Sequence, residues 1–544
     1  MNFRLVSKML AIVALLIGVT MVFSLPWALP SMGWRRDLPR PEVFEQSGFI
    51  GLVGSLVVSF LVAGMLFWFG KDARGELYRK EAMAVVGLSW ALATLLGALP
   101  YLFHGTYRDA EQRMTVADAL FESQSGFSTT GATVISDLES PELVPHCILF
   151  WRSSTHFLGG LGIIVLFVVL LGQGSAGKAM MRAEMPGPTK EGSTERMQHA
   201  AWQFALLYCL LNAVLSIILW FMGLTWFDAI CHAFGTMATG GFSTYNASLG
   251  HFQSAAIDYT VTVFMVLAGT NFALLYILLF GAPRSINPRV NQAFARLRYV
   301  WSDVEWRVYM GVIIAVTAMI VVAGMYHGSF RPETGEASFG AELADAVRYG
   351  LFQVVSIVTT TGYGTNDFDV WSHFGRGLLL MLMFVGGCAG STGGGMKVIR
   401  HILFVKILGV ELERAYRPNV VRPLRLGKTV IEDGSIHNNI LVYFALILAI
   451  FIWSWIALVA YEPDATWAAT ASADAAQHKL IDSASAIAAT LNNIGPGLGT
   501  VGATRNYGHF SEVAKLLFVV LMMIGRLEIF SVLVLFVPKF WRNR

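Results

Sequence analysis

Four clusters of small and polar residues, none holding a charged side chain, are where this 544-residue chain could do chemistry: STTGAT (128–133), MATGGFST (237–244), TTTGYGT (359–365) and NNIGPGLG (492–499). No nucleophile stands beside a base in them, and the sequence contains neither a P-loop nor an HExxH motif, so hydrolysis and ATP-driven work have no footing. What the clusters offer is uncharged oxygen. Glycine accepts positive φ without steric penalty, so a chain bending through it can turn its carbonyls toward one axis. Rings of such carbonyls replace the hydration shell of an alkali cation, and threonine hydroxyls add oxygen without adding charge.

The elements that must position these clusters repeat with them. Each cluster follows an amphipathic stretch of about three turns, too short to span a bilayer core of roughly 30 Å. The stretches begin near Val116, Trp226, Leu343 and Leu480, and each carries an early aspartate: Asp118, Asp228, Asp345 and Asp482. An acid in a first turn is favoured by the helix dipole and can cap free N–H groups. The aspartate-to-glycine spacing is 13, 12, 17 and 13 residues, so the third helix is expected to begin earlier or to leave its acid outside. Gly131, Gly240, Gly362 and Gly495 lie 109, 122 and 133 residues apart, a repeat of span, short helix, glycine loop and span. Four helix C-termini aimed at one axis would present about −2 elementary charges to a cation below the loops.

Composition supplies the surroundings. With 55% hydrophobic and 14% charged residues and a mean hydropathy of +0.57, the chain reads as a polytopic membrane protein. Apolar runs give ten spans near 7–29, 46–69, 82–103, 147–172, 200–223, 257–280, 308–327, 375–395, 437–460 and 513–537. The first follows a basic start, MNFRLVSK, but is long for a cleavable signal and lacks a small-x-small site before Pro26, so it is expected to be retained. The expected fold is all-α: ten transmembrane helices plus four re-entrant pore half-helices, in four pseudo-repeats around one central pore. The units run 1–75 (an extra two-helix N-terminal unit), 76–175, 195–285, 300–430 and 431–544. Placing both termini in the cytoplasm puts 26 of the 39 Lys and Arg residues inside, as membrane topology favours. The net charge of +3 is then a topology signal and gives no reason to expect nucleic acid. Cys147, Cys209, Cys231 and Cys388 lack CxxC spacing and read as buried apolar side chains.

Several single residues stand out. The eighth span holds GGCAGSTGGGMKVIR (386–400), whose six glycines should break a helix midway. Close helix packing is one use of such glycines; Ser391, Thr392 and Lys397 favour a hydrated, mobile segment instead. Arg526 lies inside the last span, where a bare arginine costs at least about 2.5 kcal/mol. Either it pairs with a carboxylate, Glu528 or one elsewhere, or it faces a cavity below the loops. Arg152 and Lys515 read as snorkelling ends, and His156 and His232 as packed or hydrogen-bonded residues. Glu122 is the one obvious intramembrane carboxylate that could couple transport to a second ion, and in a filter geometry it would sit behind the loop. The basic segment from Arg414 to Lys428 is a topology signal first and a docking surface for an acidic partner or anionic lipid second.

Thr360-Thr361-Gly362-Tyr363-Gly364 differs from the potassium-channel filter TVGYG only at its second residue. With three further nonidentical units, WRSSTHFLGGLGIIVL (151–166), TNFAL (270–274), GGCAGSTGGGMKVIR and GRLEIFSVLVL (525–535), the chain resembles the superfamily of Trk, Ktr and HKT potassium transporters from about residue 80 to 537. The extra N-terminal pair is similar to the TrkH branch. That resemblance implies potassium as the transported ion with no organic cofactor, a cytoplasmic (inner) membrane location, a homodimer with one pore per protomer, and a cytosolic nucleotide-binding regulator of the TrkA type on the inner face. It implies selective glycines at Gly131, Gly240, Gly362 and Gly495, lined by Thr129, Thr130, Thr239, Thr360, Thr361, Asn493 and Ile494. A serine at the first of these glycines is associated with sodium-permeable plant relatives. It also implies an intramembrane gate over 390–397, with Gly390, Ser391, Thr392, Gly393, Gly394, Gly395 and Lys397, and favours the cavity position for Arg526. The NNI of the fourth unit departs from the threonine pattern. A proton- or sodium-coupled symporter is the alternative transporter; a membrane-embedded enzyme or sensor is the alternative of another class.

Overall fold

The computed structural model describes residues 1–39, 42–73, 77–171, 194–281, 292–331, 338–419, 424–427, 429–431, 434–468, 475–527 and 529–542. Helices α1 (Phe3–Val22) and α2 (Gln46–Gly70) form an antiparallel pair, with Gly70 so close to the backbone of Arg4 and Lys8 that no side chain would fit. The pair packs on α3 (Arg79–His104), which ends where Gly105 turns left-handed at φ 72°. The link between α1 and α2 also reaches the loops that follow the helices Val116–Phe127 and Trp226–Met237. There the buried Arg35 guanidinium donates to the carbonyls of Leu138, Thr244 and Glu139 at 2.7–2.8 Å.

The first repeat is α3, α4 (Val116–Phe127) and α5 (His146–Leu171); the second is α6 (Thr194–Phe221), α7 (Trp226–Met237) and the bent pair α8 (Ala255–Ala268) and α9 (Phe272–Leu279). A short helix, α10 (Gln292–Ser302), leads into the third: α11 (Val304–His327), α12 (Phe339–Val358), α13 (His373–Leu382) and α14 (Val398–Tyr416). A hairpin of β1 (Leu424–Leu426) and β2 (Thr429–Ile431) pairs Leu424 with Ile431. The fourth comprises α15 (Gly434–Tyr461), α16 (Asp464–Ala468), α17 (Ala475–Leu491), α18 (Glu512–Leu527) and α19 (Ile529–Leu533), followed by α20 (Pro538–Trp541). One apolar core joins the N-terminal pair to the first and fourth repeats, and a second joins the second to the third. Leu61, Trp68, Leu206, Phe221, Val322 and Trp453 are at least 67% exposed on the outer faces of long helices, as side chains solvated by lipid should be.

Among the described residues, six helices are long and apolar enough to cross a membrane unbroken, or seven if α8 and α9 count as one span bent by 109°. Two of the ten expected spans, the sixth and the eighth, are interrupted within the described residues, and the fourth is one helix, His146–Leu171. The break expected in the eighth falls after Leu382, and the chain resumes as helix at Val398. The bend in the sixth was not expected. Gly269 and Thr270 end α8, and Asn271 starts α9 afresh by accepting from Ala273 N–H at 2.8 Å. The last span is helical over Glu512–Leu527 and again over Ile529–Leu533, with residue 528 outside the described residues.

Two of the four aspartates do start their pore helices. Thr115 and Asp118 form a reciprocal capping box on α4, and Thr225 with Asp228 caps α7. The other two do not: α12 begins at the Ser338 cap and runs 20 residues, which leaves Asp345 in its interior, and Asp482 lies within α17. The extra turns of α12 also overturn the expectation of a half-length helix there. Cys209, unlike the other three cysteines, is exposed on the outside of α6.

Candidate functional site

All four pore helices end in one backbone path. The residue after each cap, Thr129, Thr239, Thr360 or Asn493, adopts φ of 53°, 54°, 60° or 55°. The next, Thr130, Gly240, Thr361 or Ile494, donates its N–H to the carbonyl five residues back at 2.8–2.9 Å. Then comes a left-handed glycine, Gly131, Gly241, Gly362 or Gly495, with φ of 81°, 77°, 81° and 98°. A left-handed residue other than glycine costs about 1–3 kcal/mol and persists only where its surroundings enforce it. Its recurrence at one position in four nonidentical sequences marks a path that the whole assembly imposes. The fourth repeat keeps this backbone despite its NNI.

This register corrects the second repeat by one residue: the counterpart of Gly131 is Gly241, and Gly240 takes the place of Thr130. The buried His156 ring fills the space where a side chain at 240 would stand, which is why two glycines adjoin there.

The four paths close on each other. A Cβ on Gly131 would collide with the carbonyl oxygen of Gly240, one on Gly241 with that of Thr361, and one on Gly362 with that of Ile494; the nearest atom to one on Gly495 is the carbonyl oxygen of Thr130. The contacts run from first repeat to second, third, fourth and back to first. Equivalent carbonyls from four repeats thus form one ring around a common axis. Thr129, Thr130, Thr239, Thr360, Thr361, Asn493 and Ile494 are all buried in this ring or its wall.

Side chains behind the ring hold it from outside. His156 pairs with the Gly126 carbonyl through Nδ1 at 2.7 Å and accepts from Phe242 N–H at Nε2 (3.1 Å). Tyr363 OH donates to the carbonyls of His232 and Phe242 in the neighbouring repeat, and Tyr507 OH donates to that of Gly495 at 2.8 Å. His232, hydrogen-bonded to the Asp228 carbonyl and to Ser243, is a packing residue as expected.

Arg152 and Lys515 do not snorkel. Arg152 is 2% exposed; it meets Glu122 at 2.6 Å, donates to the Ser243 carbonyl and lies 3.4 Å over the Phe242 ring, joining the first repeat to the second. Glu122 in turn accepts from Thr133 Oγ1 and Val134 N–H, directly behind the first loop. Lys515 is buried against Asp118 at 2.5 Å, tying the fourth repeat to the first. Breaking such pairs leaves a stranded charge. Glu122→Gln, which keeps shape and loses charge, should lower stability by roughly 1.5–3 kcal/mol, read as a lower thermal midpoint in detergent.

Beneath the ring lies the glycine-rich segment. Its neck is closed by Gly386 N–H to the Met396 carbonyl (2.7 Å) and Val398 N–H to that of Gly387 (3.1 Å). Its tip touches the C-terminal ends of three pore helices. Thr392 Oγ1 donates to the Met237 carbonyl (2.9 Å), Gly394 N–H donates to Thr360 Oγ1 (2.8 Å), and Gly394 and Gly395 abut Asn493 and Asn492 so closely that side chains would not fit. Lys397 Nζ donates to the Gly393 carbonyl. Arg526, 5% exposed, donates to the carbonyls of Thr392 (2.6 Å) and Gly159 (3.0 Å), and Gly159 lies against the Phe127 carbonyl at the end of the remaining pore helix. The tip and two cations therefore occupy the space below all four helix ends. Glu528 lies outside the described residues, as do 420–423 and Lys428 of the basic segment.

On the other side of the ring, Asp369 accepts from Gly499 N–H at 2.8 Å and stands 3.8 Å from Arg376. Burial, aided by Asp367, outweighs these and pushes its carboxyl up to about 6. For an acid raised in the folded protein, stability falls as pH rises from about 4 to about 6 and is regained on acidification. Amide exchange in the 498–502 turn, corrected for intrinsic rates, should be slower at about pH 5 than at about pH 7.5, and Asp369→Asn should shrink the difference, the remainder belonging to Asp482, which accepts from Thr500 N–H and is likewise raised by burial.

Residues 53–543 match the family model TrkH, described as cation transport protein. The chain belongs to the TrkH family. Among TrkH relatives, the Trk system potassium uptake protein TrkH of Escherichia coli K12 is 36% identical over 545 residues, covering 100% of both chains. The TrkH of Halomonas elongata is 33% identical over 100% of both, and TrkG of Escherichia coli K12 is 30% identical over 92% of this chain and 93% of its own. The crystal structure of the potassium transporter TrkH from Vibrio parahaemolyticus superposes with a TM-score of 0.79 at 31% identity, covering 100% of both chains. The relatives are named as transporters, not enzymes.

Four features of this TrkH-family site escaped the sequence reading: the Gly241 register, the Glu122–Arg152 pair, the Asp118–Lys515 pair and Glu305, described below. Only the second left a signal, since a carboxylate within a pore helix requires a counter-ion and Arg152 was available in an apolar run.

Proposed function

We propose that this chain carries potassium into the cell across the cytoplasmic membrane, with the ion as substrate of a channel-like pore. The observation that carries the reading is the closed ring of carbonyls from Thr130, Gly240, Thr361 and Ile494, backed by left-handed Gly131, Gly241, Gly362 and Gly495. Such a ring exchanges a cation's water for fixed dipoles, and four helix C-termini below it favour positive charge. The 390–397 segment acts as the gate. Its tip blocks the axis under the ring, and Lys397 and Arg526 place positive charge where a cation would wait.

Glu122 supports channel-like flux over tight coupling to protons or sodium. Its carboxylate is committed to Arg152 and to the filter backbone, so it is not free to bind a coupling ion. Both termini are assigned to the cytoplasm on the basic-residue bias. A homodimer, and a TrkA-type nucleotide-binding subunit on the inner face, complete the system by likeness to the family. The test is cation uptake into proteoliposomes of purified protein. Potassium and rubidium should enter and sodium and lithium should be excluded; equal entry of all four would remove the selective ring from the account.

A further inference from the structure

Glu305 stands in the first turn of α11, 8% exposed, and belongs to no feature described above. One of its carboxylate oxygens, Oε1, accepts two backbone bonds at once, from Ala389 N–H at 2.7 Å and from Ile399 N–H at 3.1 Å. Those residues flank the glycine-rich segment, one on each limb of its neck. A single carboxyl oxygen therefore clasps both limbs, across 84 and 94 residues of sequence. When the carboxyl is ionised, such bonds are about twice as strong as neutral ones.

What surrounds Glu305 is as informative as what it holds. Immediately before it comes α10, which packs on α9 and α11 and leaves Phe294, Leu297, Tyr299 and Trp301 at 41–64% exposure. Helix α9 is itself bonded to the segment, through Phe272 N–H to the Gly390 carbonyl at 3.0 Å. On the other side, Gly427 at the turn of the β-hairpin lies against Val304, the residue next to Glu305, and Lys406 of α14 donates to the Arg425 carbonyl of that hairpin. Two elements on the face assigned to the cytoplasm, α10 and the hairpin, thus converge on the turn that carries Glu305.

We propose that Glu305 is the latch of the gate: its carboxylate holds the neck shut, and displacement of α10 or the hairpin opens the pore by withdrawing that oxygen from Ala389 and Ile399. The proposal rests on the reading of 390–397 as a gate. Glu305 is a positioning residue; it acts on the ion path only through the loop it holds.

The test compares potassium and sodium uptake by full-length protein in proteoliposomes for wild type, Glu305→Ala, Glu305→Asp, Glu305→Gln and Arg526→Ala. Alanine removes the acceptor, aspartate withdraws it by one methylene, and glutamine keeps an acceptor oxygen in place. Potassium uptake should therefore rise in the order Gln, Asp, Ala, reaching on the order of tenfold for alanine, with the potassium-to-sodium ratio unchanged. If the alanine variant is not recovered folded, the aspartate-to-glutamine comparison decides by the same rule. Wild-type uptake in every folded Glu305 variant, alongside a rise in Arg526→Ala, would overturn the latch and leave the gate standing. A rise accompanied by sodium entry would also overturn it, because Glu305 would then be supporting the filter. If Arg526→Ala does not raise uptake either, the gate reading itself fails and the latch with it.

Discussion

Gly362→Ala should abolish cation uptake, a fall of at least about 100-fold. Gly362 sits at φ 81°, where an alanine is strained, and its Cβ would fall on the carbonyl oxygen of Ile494. Because that oxygen belongs to the ring, the collision cannot be relieved without moving an oxygen that, on the proposed function, replaces water around the ion. A shortfall of only about 3 kcal/mol in that replacement slows passage roughly 150-fold. Gly340→Ala is the matched control, since no atom lies within 4 Å of a Cβ there. Rubidium uptake by the two variants, each checked for a single elution peak, measures the difference. Normal uptake by Gly362→Ala would mean that the third loop does not line the path.

Arg526→Ala should raise uptake. The guanidinium is buried directly below the ring and bonds the tip of the glycine-rich segment to Gly159 of the first repeat. A buried positive charge beneath the ring repels a waiting cation, so its removal should raise occupancy by on the order of tenfold. Removing it also frees the Thr392 carbonyl, so both the electrostatic and the mechanical consequence have the same sign. Arg526→Lys keeps the charge but loses the fork that reaches two carbonyls, so it should fall between wild type and alanine. Initial rates of potassium uptake at fixed membrane potential distinguish the three, and a lower rate in the alanine variant would show that Arg526 supports the pore instead of restricting it.

The repeat architecture was legible because it is written in residues that have few other uses at membrane depth. Four Thr, Asn and Gly clusters at similar intervals, each behind an amphipathic stretch, leave little choice but a shared axis. The register of the second cluster was not legible. MATGGFST offers two adjacent glycines, and only the His156 ring, 84 residues earlier than Gly240, settles which of them turns left-handed. Arg152 and Lys515 were misread for a related reason. A basic residue near a helix end snorkels when water is within reach, but these two meet carboxylates on other helices; Glu122 did call for a counter-ion, whereas pairing of Lys515 with Asp118 over 397 residues leaves no local trace. The bend after Ala268 was hidden in an apolar run, although Gly269, Thr270 and the capping Asn271 are the residues a restart requires. Glu305 carried no signal, because an acid in a first turn is ordinary until its partners are known.

The central claim is that four loops form one selective ring, and Gly131→Ser tests it most directly. The serine Cβ would fall on the Gly240 carbonyl oxygen, the same collision that alanine makes at 362, and would displace that oxygen from the ring without changing its charge. The measurement is the ratio of potassium to sodium uptake in proteoliposomes for wild type and this variant. The account predicts a strongly potassium-selective wild type and a variant whose potassium uptake falls steeply, so that the ratio collapses; an unchanged ratio and an unchanged potassium rate in the folded variant would contradict it.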